Sequence, residues 1–104
     1  MNAITERLGT DIVLLDMQDV SLLADYFVLC NAQSTPHFKA IADEVQQEAK
    51  EAGGRMLHVE GEPASGWVLI DYGSVVVHIF DPDVRAYYAL EDLWSQARLV
   101  VRIQ

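Results

Sequence analysis

Cysteine, proline and positive charge are all scarce in this chain, and each scarcity closes off a class of protein. One cysteine among 104 residues rules out an internal disulfide framework, because a bridge needs a pair. Cys30 stands in the apolar run Tyr26-Phe27-Val28-Leu29-Cys30, where it is expected to be a small, inert core residue, and a reducing, cytoplasmic setting suits it. With only three prolines, none clustered, there is no Pro-rich linker. Seven basic against sixteen acidic residues give a formal charge of −9. Most of that surface would repel a nucleic-acid backbone, so direct sequence-specific nucleic-acid binding is not expected, whereas a basic protein would be attracted. No apolar run approaches the roughly 20 residues that cross a bilayer. Met1 to Thr10 shows neither a secretory apolar core nor an Arg-rich transit helix, so neither membrane association nor export is expected.

What is present suffices for one core. At 51% apolar residues and without repeats, residues 1–104 are expected to form a single α/β (mixed α+β) domain. Ile12-Val13-Leu14-Leu15, flanked by Asp11 and Asp16, and the aromatic and aliphatic stretch Tyr26 to Asn31 predict two strands, the second central and covered on both faces. Thr35-Pro36 supplies a hydroxyl cap and a proline at the first helical position. Phe38, Ile41, Ala42, Val45, Ala49 and Ala52 then recur at helical spacing until Gly53-Gly54. With a strand over Met56 to Val59, this makes a strand-helix-strand unit of the kind that joins parallel neighbours. Trp67 to Tyr72 and Val75 to Phe80 read as a hairpin around Gly73-Ser74. Asp81-Pro82 repeats the cap-and-proline pattern before a rhythm of Val84, Tyr87, Tyr88, Leu90, Leu93 and Trp94, predicting a C-terminal helix. Arg98 to Gln104 is either a short edge strand or a tail.

Pairing outward from Gly73-Ser74 sorts the hairpin into two faces. Val68, Ile70, Tyr72, Val75, Val77 and Ile79 form an aliphatic side suited to the core. Trp67, Leu69, Asp71, Val76, His78 and Phe80 form a mixed aromatic, aliphatic and polar side. Either a second helix of this chain buries that side, or a partner does; its mixed character favours the partner. Trp67 is the expected anchor, Leu69, Val76 and Phe80 the apolar surround, Asp71 and His78 the polar contacts, and Glu60, with Glu62, the rim charge.

Chemistry is harder to place. Gly73-Ser74 with Asp81 and Asp83 superficially matches the magnesium-holding signature of nucleotidyltransferases, but Pro82 breaks the strand that would have to present both carboxylates, and Asp81 is better used as a cap. His37, His58 and His78 lack ligand spacing, and Asp16, Asp19 and Asp25 lack the glycine and terminal glutamate of a calcium loop. No cofactor, metal or catalytic residue is expected.

Asp25-Tyr26-Phe27-Val28-Leu29, Lys39-Ala40-Ile41-Ala42-Asp43-Glu44-Val45, Glu60-Gly61, the run Trp67 to Phe80, and Arg85, Tyr88, Leu90, Glu91 and Leu93-Trp94 together resemble the ribosomal silencing factor (Iojap) family in one register. Ser74 stands where that family usually carries an acidic residue, and Met1 to Thr10 is shorter than its opening amphipathic helix. The resemblance implies a mixed, mostly five-stranded sheet with flanking helices, similar to a nucleotidyltransferase domain without its catalytic groups. It also implies a translational repressor that binds the large ribosomal subunit through its fourteenth large-subunit protein and blocks joining of the small subunit when nutrients are scarce. Two alternatives stand beside it: a metal-dependent nucleotidyltransferase-like enzyme using Asp81 and Asp83, and a self-associating domain that hides the mixed face in a homodimer.

Overall fold

The computed structural model of the chain describes residues 4, 9–18, 24–88 and 98–103. Its strands are β1 (Thr10–Asp16), β2 (Tyr26–Asn31), β3 (His58–Glu60), β4 (Trp67–Asp71), β5 (Val75–Phe80) and β6 (Arg98–Ile103), and its helices are α1 (Thr35–Glu51) and α2 (Pro82–Tyr88). The strands form one mixed sheet in the order β3-β4-β5-β2-β1-β6. The five expected strands are all present, although the one expected over Met56 to Val59 covers His58–Glu60, and the C-terminal segment adds β6 as an edge, antiparallel to β1. Asp19, Leu90, Glu91, Leu93 and Trp94, and most of Met1 to Thr10, lie outside the described residues.

The pairing of β4 with β5 follows the expected register throughout, from Trp67 opposite Phe80 to Asp71 opposite Val76. The Tyr72 N–H donates to the Val75 carbonyl at 2.9 Å, which closes the turn. Gly73 has φ +85°, a conformation that a side chain would oppose and that the right-handed twist of a two-residue hairpin requires.

Two local expectations need correction. The α1 cap is Ser34, one residue earlier than Thr35: its backbone is extended and its Oγ accepts from the His37 N–H at 3.2 Å, leaving Thr35 inside the helix. The strand-helix-strand unit also does not join neighbours. β3 runs the same way as β2, but β4 and β5 lie between them, and the strand parallel and adjacent to β2 is β5. A buried central slot favours the longer, Val/Ile-rich β5, whereas β3 has three residues, all exposed, and is suited to an edge.

The sheet carries a core on each face. Phe38, Ile41 and Val45 of α1 pack on Ile12, Val28, Cys30, Val68, Ile70, Val77 and Ile79, the aliphatic side foreseen for the hairpin. Cys30 is fully buried, and burial pushes its thiol up to about 12, so it is a packing residue with negligible thiolate character. On the other face Val13, Leu15, Met17, Leu29 and Phe80 form a second, smaller core, joined by Phe27, Trp67 and Val84.

Helix α2 is tied down by polar contacts. Asp81 caps it as expected, its Oδ1 accepting from the Asp83 N–H at 2.9 Å. Arg85, 5% exposed, donates from one guanidinium nitrogen to the Asp11 carbonyl at 2.7 Å and to Asn31 Oδ1 at 2.9 Å. Asp11 sits where the β1–β2 register shifts, with φ +46°, so the bulge turns its carbonyl toward the arginine.

Candidate functional site

The second sheet face is where the hairpin meets the surface. Alternation along β4 puts Trp67, Leu69 and Asp71 on this side, and the antiparallel register sets Phe80, His78 and Val76 opposite them. The parallel neighbour β2 adds Phe27 beside Val76 and Leu29 beside His78. At the other edge β3 sets Glu60 beside Leu69 and His58 beside Asp71. The expected residues therefore do come together, across three strands.

They do not share one exposure. Trp67, Leu69 and Asp71 are half-buried and Glu60 is exposed, so these four remain open to a partner. Val76, His78 and Phe80 are buried, with Phe80 at 0% and His78 at 3%, which corrects their expected role as contacts. The physical reason is the second core: Phe80 belongs to it, and the rings around His78 close over the imidazole. The chain therefore seals the β5 residues itself and leaves the β4 residues accessible.

Trp67 is held at its edge and its face. Its ring centroid lies 4.9 Å from that of Phe80 and 5.9 Å from that of His78. The indole Nε1–H donates to His78 Nδ1 at 3.2 Å. An indole nitrogen can only donate, so Nδ1 is the acceptor and the imidazole proton sits on Nε2. Beside the indole runs a groove of about 380 Å³ lined by Glu60, Gly61, Ser65, Trp67, Leu69 and Val84. Gly61 has φ +84°, and a Cβ there would fall on the Trp67 carbonyl oxygen. Glycine thus lets the acidic loop lie directly against the anchor strand. Ser65 Oγ donates to the Glu62 carbonyl at 2.6 Å and closes that loop.

The rim is acidic. Glu60 and Glu62 are exposed, and Glu60 Oε1 lies 3.2 Å from His58 Nε2. Asp71 has two duties: Oδ1 accepts from the Gly73 N–H at 2.7 Å, bracing the hairpin turn, and Oδ2 lies 3.7 Å from His58 Nδ1. His58, not among the residues expected at this face, belongs to this rim. Phe27 and Val84 were also missed, because only pairing with β5 and the docking of α2 bring them here. His37 lies apart from this face and accepts the Gln33 N–H at Nδ1. Asp81 is engaged as a cap, and no group of three or more metal-ligating side chains gathers among the described residues.

Burial alone pulls the His78 imidazole down from 6.5 to about 4, so it is neutral at pH 7. The unfolded chain takes up a proton there below about pH 6.5, whereas the folded chain resists until about pH 4. Acidification through that window therefore favours unfolding. Between pH 7 and 5 this group is expected to remove about 2 kcal/mol of stability. Urea unfolding at the two pH values should show His78→Leu losing that much less than the parent chain; an equal loss in both would refute the assignment.

Comparison with known proteins adds to this geometry. The family model described as "Ribosomal silencing factor during starvation" matches residues 1–104. The chain is 43% identical over 100 residues to the protein named Ribosomal silencing factor RsfS of Halalkalibacterium halodurans, spanning 96% of this chain and 86% of that protein. A more distant relative, the mouse protein named Mitochondrial assembly of ribosomal large subunit protein 1, is 32% identical over 88 residues, covering 82% of this chain and 39% of that one. The fold is similar to a crystal structure of a Chromobacterium violaceum protein, with TM-score 0.86 and 38% identity over 90% of this chain and 78% of that one.

Proposed function

Because the chain belongs to the ribosomal silencing factor family, we propose that it docks on the large ribosomal subunit at its fourteenth large-subunit protein and sterically prevents the small subunit from joining. It works in the cytoplasm, as one domain without chemistry of its own. The carrying observation is the half-buried Trp67 beside an acid-rimmed groove on a chain of charge −9. Long-range attraction steers such a surface toward a basic ribosomal protein, while a rigid aromatic entering a desolvated contact supplies most of the binding energy. Rim charges such as Glu60 add at most about 1 kcal/mol each.

Steric exclusion needs only occupancy, which fits a site whose carboxylates are used for capping, turn bracing and rim charge. Purified subunits mixed with rising amounts of the protein and separated by sedimentation should show joined particles declining as free large subunits carrying the protein accumulate. Undiminished joining at saturating protein would overturn the proposal.

A further inference from the structure

We propose that His78 is a positioning residue that acts through Trp67: from beneath the surface it fixes the direction of the indole, so that the docking face is formed before any partner arrives. This rests on the reading of Trp67 as the docking anchor. Tilted packing against Phe80, at 33° between the rings, restricts the plane of the indole, but rotation about its Cβ–Cγ bond still allows two opposed placements of the ring nitrogen. Packing distinguishes them weakly, whereas a hydrogen bond does so directly. The bond from Nε1 to His78 Nδ1 at 3.2 Å is that directional contact.

Packing does not explain a histidine at this position. Its neighbours are apolar: Leu29 stands beside it on β2, Phe27 lies 4.8 Å away ring to ring, and Phe80 stacks at 6.1 Å and 11°. Leucine would suit the same place without a polar atom. The imidazole instead leaves its Nε2 buried with no hydrogen-bond partner among the described residues, an arrangement that is unfavourable for folding and uncommon in native cores. A residue that weakens the fold where it sits has a use other than packing, and here its other nitrogen accepts from Trp67. A partner meeting a fixed indole does not have to order it during docking.

Stability and binding should therefore rank the variants in opposite orders. Three properties would be measured for the parent chain, His78→Leu and His78→Asn: the thermal midpoint, the indole Nε1–H resonance of Trp67, and the dissociation constant for purified large subunits. The resonance is assigned by its loss in Trp67→Phe. His78→Leu should melt at or above the parent midpoint, shift the indole resonance toward that of a water-exposed tryptophan, and bind about tenfold more weakly, a factor equal to 1.4 kcal/mol. Asparagine places Oδ1 where Nδ1 stood. His78→Asn should melt lower than the parent, yet keep the parent resonance and bind within about threefold of it. An unmoved resonance in His78→Leu, or a midpoint lowered as by a core truncation, would reduce His78 to a packing residue and overturn the proposal. If Trp67→Ala binds as the parent does, the docking reading fails separately, and the positioning of that face for docking fails with it. The resonance still reports on its own whether His78 holds the indole.

Discussion

Trp67→Ala is expected to weaken binding to the large ribosomal subunit by about 30- to 1,000-fold, the range that corresponds to roughly 2–4 kcal/mol for a central aromatic anchor. Among the residues of this face it combines the largest apolar ring with real accessibility: Phe80 is fully buried, and Leu69 is half-buried but smaller. Its ring is already packed on Phe80 and bonded to His78, so little conformational entropy remains to be lost when it enters a partner's pocket. Because the indole is only half-buried and begins a strand, its removal should leave the chain folded. Titration of labelled protein against large subunits, with circular dichroism to verify folding, checks both parts. An affinity within about threefold of the parent would remove Trp67 from the interface.

Arg85→Met is expected to lower the unfolding free energy by about 2–3 kcal/mol, the usual consequence of deleting a buried charged donor and leaving its acceptors unpaired. Helix α2 has seven residues, too few to persist without tertiary support. Its arginine reaches the β1 bulge through the Asp11 carbonyl and the end of β2 through Asn31, with the Asp11 carboxylate 3.9 Å away. Methionine fills much of the volume but donates nothing, leaving the Asp11 carbonyl and Asn31 Oδ1 without these bonds. The Asp11 backbone, at φ +46°, would lose the contact that supports an unfavourable conformation. Val84 on the same helix lines the Trp67 groove, so loosening α2 should also blunt binding. Urea unfolding decides the matter, and a loss under about 1 kcal/mol would show that α2 is held by other means.

How much of the site could be read in advance varies by residue. The pairing of Trp67 with Phe80 and of Leu69 with His78 was legible because a two-residue turn leaves one register, and side chains alternate with period two. The helical face of Phe38, Ile41 and Val45 was legible from its spacing. Exposure was not: alternation says that Leu69 and His78 point the same way, and nothing about what lies over each of them. Phe27 and His58 were illegible as site residues for a related reason, since their placement depends on which strands become neighbours across long sequence gaps.

By itself the sequence determined what local chemistry can decide: the central strands, the hairpin and its two faces, the helix at Thr35–Glu51, the acidic character and the family resemblance. Tertiary structure alone decided that β5 sits beside β2 and sends β3 to the edge, that Arg85 locks α2 to the β1 bulge, and that the mixed face divides into buried His78 and Phe80 and half-buried Trp67. The reason is range. Turns, caps and periodicity act over a few residues, whereas strand neighbours and the covering of a face depend on how distant segments compete for the same apolar surface.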